Sequence, residues 1–309
     1  MRKYVLFWLT FYTIGRLPTR LLYAIFGVVA DITYVLAAGS RHAVWKNLRH
    51  VVPPDTPKRA IRRMARQIFR NVALYYVDLA RMPYTDTHHL FYKRMDVHGL
   101  YENLIPAVER GHGVIMLGAH CGNPELAGQG LIPVGVRVFA LTEPLDPPRL
   151  SRLLDRVRSS QGHEFGPVSI GNVKRVMKTL RSGGTVALMG DRDIEGPRQR
   201  LPFFGVETWM PTGPIEVAIR TGATVIPCFS GRTDDYFIEA HMQEPLQLKI
   251  TGDFQADVRA GTLAFLKRLE SWLRDDPGRW LVLEPIWDTE EHNSSVPTGV
   301  TEHQHQPSR

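Results

Sequence analysis

Short apolar runs alternate with amphipathic segments along the chain from about residue 95 onward. Six runs are predicted to be strands, at residues 114–119, 136–142, 185–190, 223–230, 236–242 and 280–285. Helical spacing of hydrophobic residues occurs between them, at about 101–110, 148–160, 171–182, 213–221 and 255–274. The early runs are continuously apolar, as buried parallel strands are. The alternation therefore predicts an α/β fold with a mostly parallel central sheet flanked by helices on both faces.

Composition narrows the class of protein further. The chain has 309 residues, of which 43% are hydrophobic and 22% charged, so it can bury a sizeable core. It contains only two cysteines, Cys121 and Cys228. A disulfide framework and a cysteine-rich metal site are both disfavoured, and a reducing compartment is the simplest interpretation. We expect no metal and no bound cofactor.

The positive charge is concentrated in the N-terminal third. Residues 1–90 hold 14 Lys and Arg against 4 Asp and Glu, whereas the remainder holds 24 against 27. The same third carries two long apolar segments, residues 4–15 and 21–39. The second is long enough to span a bilayer, but it contains Asp31, which is costly at mid-bilayer. Aromatic residues and flanking arginines favour a helix lying in the membrane interface. A single embedded helix and a hairpin packed on the protein's own core remain alternatives.

The next segment, residues 56–82, is predicted to be a basic amphipathic helix. Thr56 is suited to be its N-cap, with Pro57 at the first helical position. Apolar residues recur at helical spacing, and arginines occupy much of the remaining surface. Such a face can bind anionic lipid or nucleic acid, or can simply be solvated. No nucleic-acid-binding motif accompanies it. Residues 1–90 are therefore predicted to associate with a membrane surface and not with nucleic acid.

The candidate catalytic motif is 120-HCGNPE-125, directly after the first predicted strand. Ligands of open α/β sheets bind beyond the carboxyl ends of the strands, which is where His120 falls. Asn123 and Pro124 suit an N-cap and first helical residue, placing Glu125 in the first turn. A carboxylate bonded to His120 would make a general base worth on the order of 10² to 10⁴ in rate. The alternative is a structural histidine near an ordinary helix start.

A charged loop, 190-GDRDIEGPRQR-200, follows another predicted strand at the same edge of the sheet. Its arginines can bind phosphate or carboxylate groups, although internal ion pairing in a solvated loop would account for the composition equally well. Cys121 is a poor nucleophile candidate because it adjoins its would-be base in sequence. The predicted substrate-binding residues are Asn123, Arg192, Asp193, Glu195 and Arg200.

Taken together, these motifs resemble the lipid A biosynthesis acyltransferase family, within the wider glycerolipid acyltransferase superfamily. The family's histidine and acid motif matches 120-HCGNPE-125. The resemblance covers about residues 1–288 and includes 44-VWKNLRHVVP-53, 190-GDRD-193, 203-FFG-205, 210-MPTGP-214, 223-ATVIPC-228 and 277-PGRW-280. The GDRD, FFG and MPTGP versions look most like the branch that acylates phosphatidylinositol mannosides.

The resemblance implies an O-acyltransferase at the cytoplasmic face of the plasma membrane, peripheral or anchored by one helix. Its donor would be acyl-CoA or acyl carrier protein, used as co-substrate, and its acceptor a membrane glycolipid. His120 would be the general base, and Glu125 would orient and charge-stabilise it. The expected organisation is a membrane-associating region at 1–90, a catalytic domain at 91–288 and a disordered tail at 289–309. An acyl thioesterase with the same dyad and a non-catalytic lipid-binding protein are the competing hypotheses.

Overall fold

A computed structural model describes residues 14–192, 196–233 and 235–287. Ten α-helices are present in these ranges: α1 Thr19–Leu36, α2 Ala38–Val51, α3 Lys58–Arg81, α4 Thr87–Arg94, α5 Ile105–Glu109, α6 Pro124–Gln129, α7 Pro148–Arg158, α8 Ile170–Arg181, α9 Gly213–Thr221 and α10 Phe254–Asp275. The strands of the same ranges are β1 Met95–His98, β2 Val114–Gly118, β3 Val138–Thr142, β4 Glu164–Pro167, β5 Thr185–Met189, β6 Arg198–Phe203, β7 Val206–Pro211, β8 Thr224–Arg232 and β9 Ile238–Met242.

Seven of the strands form one sheet in the order β1-β9-β8-β2-β5-β3-β4. All its pairings are parallel except that between β8 and β9, which is antiparallel. The central strand β2 lies between β5 and β8, and the register pairs Gly118 with both Met189 and Cys228. The carboxyl ends of β2, β5 and β8 therefore meet at one edge of the sheet.

Both faces of the sheet are covered, as the continuous apolar runs predict. Ile115 and Leu117 of β2 belong to one buried cluster, which α8, α9 and α10 help to form. Val114 and Met116 belong to another, on the opposite face, with residues of α6. Alternate side chains of a strand point to opposite faces, so β2 is buried on both sides. The predicted α/β class is confirmed.

Most predicted elements correspond to observed ones, but three predictions fail in instructive ways. The run at 280–285 forms no strand; it makes a single bridge, between Trp280 and Cys121. The basic helix begins at Lys58, with Pro57 as an N-cap that supplies no side-chain hydrogen bond, so Thr56 is not the cap. The last residues of the charged loop, from Arg198, and the aromatic segment after it form the antiparallel hairpin β6–β7, which was not predicted. Phe204 and Gly205, both at positive φ, make its two-residue turn.

The N-terminal helices form a layer beside the sheet domain. α1 is the helix in the described residues that is long and apolar enough to cross a membrane. One side of α1 packs against α3, where Asp31 accepts hydrogen bonds from both Arg66 and Arg70. Its other side exposes apolar residues: Leu21, Ile25, Val28, Val29, Ile32, Val35 and Leu36. The predicted apolar segment at 4–15 lies almost entirely, and the predicted tail at 289–309 entirely, outside the described residues.

Candidate active site

His120 lies just beyond the carboxyl end of β2, where the sequence predicts it. The chain reverses there at Gly122, which has φ 61°. A Cβ at this glycine would lie 2.7 Å from the backbone of Gly231, so glycine is required on both conformational and steric grounds. The C-terminal segment, residues 280–287, holds the loop, since the Leu281 amide donates to the His120 carbonyl at 2.7 Å. The Gly122 amide also donates to the Arg279 carbonyl, at 2.8 Å. Residues 119–123 are called the catalytic loop from here on, because they carry the predicted catalytic residue His120.

The partner of the His120 imidazole is Asp191, from the end of β5. His120 Nδ1 lies 2.8 Å from Asp191 Oδ1, and the His120 backbone amide donates to Oδ2 at 2.9 Å. The Asp191 side chain is 0% exposed, whereas that of His120 is 32% exposed. Because parallel strands β2 and β5 are neighbours and end together, residues 71 apart in sequence come into contact.

Asp191 is an ionised acceptor in this arrangement. Burial alone raises the pKa of its carboxyl, but the His120 imidazole and hydrogen bonds from His120 and Trp280 outweigh it, and the net pKa lies below the ordinary value. The Trp280 indole N–H donates to Oδ2 at 3.0 Å. An ionised carboxylate makes Nδ1 of His120 the donor and leaves Nε2 as the ring nitrogen that can accept a proton.

The predicted partner of His120, Glu125, has other hydrogen-bond partners in this structure. Glu125 accepts from the Tyr75 hydroxyl at 2.6 Å and from Arg158 Nε at 3.0 Å. A second Arg158 nitrogen lies 2.9 Å from the same carboxylate. The first turn of α6 directs Glu125 towards α3 and α7, away from β5. Glu125 and Arg158 still line the same cavity as His120, so the motif contributes to the site through a different contact.

Asn123 is an N-cap, as predicted, but its side chain does not face a substrate. Its Oδ1 accepts from the Leu126 amide at 2.9 Å, and its Nδ2 donates to Asp78 at 2.8 Å. The residue is 1% exposed. Both polar groups of the amide are therefore occupied inside the protein, and the geometry gives no support to the predicted substrate contact of Asn123.

The charged loop after β5 is only partly described. Arg192 lines the cavity and forms ion pairs at 2.6 Å with Glu143 and Glu284. Its Nε is buried without a hydrogen-bond partner among the described residues. Asp193 and Glu195 lie outside the described residues. Arg200 lies exposed on β6 and is not one of the described residues that line the cavity, which leaves its predicted substrate contact without support from the geometry.

A cavity of about 580 Å³ opens beside His120. Its polar lining includes Glu125, Glu143 and Arg192. Apolar side chains from the sheet and the helices over it make up most of the lining, among them Ala140, Leu141, Phe165, Val176, Leu188 and Val217. The volume is in the usual range for small-molecule sites, roughly 300 to 1,000 Å³. The cavity therefore combines a group able to exchange protons, His120, with enough apolar surface to accommodate an apolar chain.

Neither cysteine is placed for nucleophilic catalysis. Burial raises the pKa of the Cys121 thiol well above its ordinary value, and it does the same for Cys228. A thiol that stays protonated is a poor nucleophile. Among the described residues, His, Cys, Asp and Glu side chains form no group of three that could hold a metal ion.

Comparison with known proteins identifies the family. The family described as bacterial lipid A biosynthesis acyltransferase matches residues 1–289. The chain belongs to this family. Among its relatives is a phosphatidylinositol mannoside acyltransferase of Mycolicibacterium smegmatis, 28% identical over 89% of this chain and 88% of the relative. A protein of the same name from Mycobacterium tuberculosis is 30% identical over 69% of this chain and 66% of the relative.

The chain is thus an acyltransferase, and the resemblance inferred from its motifs is confirmed. Family membership implies an acyl donor and a lipid or glycolipid acceptor. Sequence reasoning placed His120 and the loop after β5 at the same edge of the sheet, where the structure has them, but it missed the contact of Asp191 with His120 and the contacts of Tyr75, Arg158 and Trp280. The available signal was the position of Asp191, the second residue beyond a buried strand.

Proposed function

We propose that this acyltransferase moves a fatty acyl group from a thioester donor, acyl-CoA or acyl carrier protein, to a hydroxyl of a membrane glycolipid of the phosphatidylinositol mannoside type. The observation that carries the proposal is the pairing of His120 with the buried Asp191 carboxylate beside a largely apolar cavity. The names of the relatives support the choice of acceptor.

His120 acts as the general base. Its Nε2 takes the proton of the acceptor hydroxyl as the oxygen attacks the thioester carbonyl. Asp191, fixed by the Trp280 indole, holds the ring in the required tautomer and stabilises the imidazolium that forms. Collapse of the tetrahedral intermediate breaks the carbon–sulfur bond, and the imidazolium returns the proton to the departing thiolate. The products are an ester and a free thiol, without a covalent acyl-enzyme intermediate.

The apolar part of the cavity accommodates the fatty acyl chain. Residues of β3, β4 and α8 line it, and this wall lies on the side of the sheet away from β8. An acyl chain buried there is removed from water, which is worth roughly 0.8 kcal/mol for each CH₂ group. The carbonyl carbon of the thioester then remains beside His120.

Arg192 and Glu125 have distinct supporting roles in the proposal. The Arg192 guanidinium, between two carboxylates at the cavity, contacts the phosphate of a substrate or the developing oxyanion by exchanging one of its ion pairs. Glu125 holds Arg158 and Tyr75 in the cavity wall, and its contribution to catalysis is to the shape of the site.

A lipid surface is the working environment of the enzyme in this proposal. The exposed apolar face of α1 suits the acyl region of a bilayer, while exposed Arg16 and Arg20 beside it suit anionic headgroups. Asp31 is neutralised by Arg66 and Arg70 on the opposite side of the helix. An α1 that packs along α3 favours a helix lying on the membrane over one that spans it. The cytoplasmic face is proposed because acyl-CoA and acyl carrier protein are cytoplasmic.

The test combines mass spectrometry of membrane lipids with an assay of the purified protein. Cells carrying the protein should contain a glycolipid class with one additional acyl chain, and cells with the His120→Ala variant should lack it. In vitro, thiol release from acyl-CoA should depend on added phosphatidylinositol mannoside. Thiol release independent of any glycolipid would instead support the thioesterase hypothesis. Full acyl transfer by His120→Ala would eliminate the general-base role.

A further inference from the structure

A second buried polar cluster lies next to the catalytic loop, outside the cavity. It centres on Asp78 of α3, which is 4% exposed and pairs with Arg232, at 6% exposure, from the end of β8. Asp78 Oδ1 accepts from the Tyr23 hydroxyl of α1 at 2.5 Å, and Oδ2 accepts from Asn123 Nδ2 at 2.8 Å. Arg232 also donates to the Tyr23 hydroxyl at 3.1 Å. Four separate segments of the chain therefore meet at one carboxylate.

This cluster has no part in the acyl transfer chemistry described above. Tyr23, Asp78, Asn123 and Arg232 are not among the described residues that line the cavity. A buried ion pair is seldom a more stabilising choice than apolar residues of similar volume, since both charges lose their hydration. Such pairs can instead specify one arrangement of the elements they join. What Asp78 specifies follows from its partners.

One partner fixes the catalytic loop. Asn123 closes that loop and caps α6, and its side chain is held by Asp78 on one side and by the Leu126 amide on the other. His120 is at the start of the same loop, and Gly122, with positive φ, allows the sharp reversal between them. Any shift of Asp78 is transmitted to Asn123 and therefore to the loop that carries His120.

The other partner belongs to the helix that faces the lipid. Tyr23 is buried on the inner side of α1, whereas Leu21, Ile25 and Val28, close to it in sequence, are 45 to 60% exposed. An apolar face of this size is unfavourable in water and is covered when the helix lies on a bilayer. Tyr23 and the exposed apolar residues lie on the same helix, so the position of α1 on a bilayer also sets the position of Tyr23.

We propose that Asp78 is a positioning residue that links the seating of α1 on a lipid surface to the geometry of the catalytic loop, with Tyr23 as the contact on the membrane side and Asn123 as the contact on the active-site side. The proposal rests on the proposed function, because it concerns the loop that carries His120. Lipid binding stabilises the arrangement in which Tyr23 bonds to Asp78, and the loop is then held for catalysis. The enzyme is in this way most active where its acceptor is found.

Hydrogen exchange of the full-length protein tests the link without depending on catalysis. Exchange of the Leu126 and Ala127 amides would be followed with and without vesicles of phosphatidylglycerol and phosphatidylcholine. We expect the vesicles to slow this exchange about tenfold in the unaltered protein, as stabilisation of the capped arrangement requires. Unchanged exchange in the unaltered protein on vesicle binding would overturn the proposal before any variant is made.

Two matched tyrosine variants locate the link. Tyr23→Phe removes the hydroxyl that bonds to Asp78, while Tyr34→Phe, on the same helix, removes one that accepts from Trp45 at 3.3 Å. Both should sediment with vesicles like the unaltered protein. We expect the slowing of exchange to persist in Tyr34→Phe and to disappear in Tyr23→Phe. Equal slowing in the two variants would overturn the role of Tyr23.

Measurements of kcat and KM distinguish an effect on the position of the catalytic loop from a general loss of structure. With palmitoyl-CoA and vesicles containing phosphatidylinositol mannoside, Tyr23→Phe should lower kcat roughly ten- to a hundredfold, with KM for the donor unchanged. Tyr34→Phe should keep the unaltered kcat. An equal kcat for the two variants would contradict the proposal. If the unaltered protein transfers no acyl group, the proposed function fails, and the exchange measurements still decide whether α1 and the catalytic loop are linked.

Discussion

Asp191 and Glu125 are two carboxylates at one cavity that hold different parts of it. Asp191, from the end of β5, contacts the His120 ring and is fully buried by the sheet, the catalytic loop and Trp280. Glu125, close to His120 in sequence, contacts Arg158 and Tyr75 and holds α6 against α3 and α7. The acid of a short sequence motif is therefore not always the residue that forms the hydrogen bond to the histidine of that motif. Asp191 holds the His120 ring, which we propose to be the general base, and Glu125 holds the cavity wall.

The largest expected effect comes from replacing Asp191 with asparagine. The amide keeps the shape of the side chain but can present an N–H to Nδ1, which favours the wrong tautomer of His120 and no longer stabilises the imidazolium. We expect kcat to fall on the order of 10³- to 10⁴-fold. Asp257→Asn is a suitable control, because Asp257 is also buried and bonds to Thr251, and neither residue is among those described as lining the cavity. Near-normal turnover by Asp191→Asn, measured as glycolipid-dependent thiol release, would contradict the assignment.

The sequence predicts the architecture well because a strand that is buried on both faces of a sheet is a continuous run of apolar residues. The continuous apolar runs of β2, β5 and β8 identify buried strands, and the position beyond the first of them identifies His120. The short edge strands β1 and β4 carry no such record, since each buries little and has only four residues. The family resemblance followed from the order of several motifs, each of them weak alone.

The contacts between the site residues cannot be predicted from local sequence patterns. They depend on the order of the strands in the sheet, and Asp191 reaches His120 only because β2 and β5 are neighbours. Similarly, the direction of Glu125 depends on α7, which supplies Arg158 from 33 residues away. The 280–285 run looks like a strand because it is apolar, but it serves to cover the catalytic loop, and its apolar character reflects burial of Trp280 and Val282.

The second prediction tests whether Glu125 supports the cavity wall or orients His120. Glu125→Gln removes the nearer of the two carboxylates that pair with buried Arg158 and leaves Asp155 at 3.7 Å, so we expect the free energy of unfolding to fall by about 1 to 3 kcal/mol, while kcat falls only about tenfold. Replacing both residues, as Glu125→Gln with Arg158→Met, should cost less stability than the sum of the two single changes, because the interaction between them is lost only once. Urea unfolding and the transfer assay measure the two quantities. A loss of kcat as large as that of Asp191→Asn, without loss of stability, would return Glu125 to the role of partner to His120.

The third prediction is that the contribution of Asp191 to the free energy of unfolding depends on pH. Because its folded-state pKa lies below the ordinary 3.8, the stabilisation is fully present above that value and is lost as the pH falls through the folded-state pKa. The unaltered protein should therefore lose stability on acidification more steeply than Asp191→Asn. The gap between their free energies of unfolding, measured in urea between about pH 6 and pH 3, should narrow as the pH falls. A gap that widens towards low pH would show the opposite sign of the pKa shift.

The smallest effect is expected from Trp280→Phe, which tests how Asp191 itself is held. Phenylalanine keeps an aromatic ring against Phe203 and Trp287 but removes the indole N–H that donates to Asp191 Oδ2. Loss of one hydrogen bond to a buried carboxylate costs about 1.5 to 3 kcal/mol, partly offset because the His120 amide still donates to the same oxygen. We expect kcat to fall by less than in either carboxylate variant, and the acid destabilisation to begin at a higher pH, since one of the donors that lowers the Asp191 pKa is gone. If kcat and the acid transition both stayed unchanged, the backbone amide of His120 alone would suffice to hold Asp191, and the indole would serve only to fill the core above the catalytic loop.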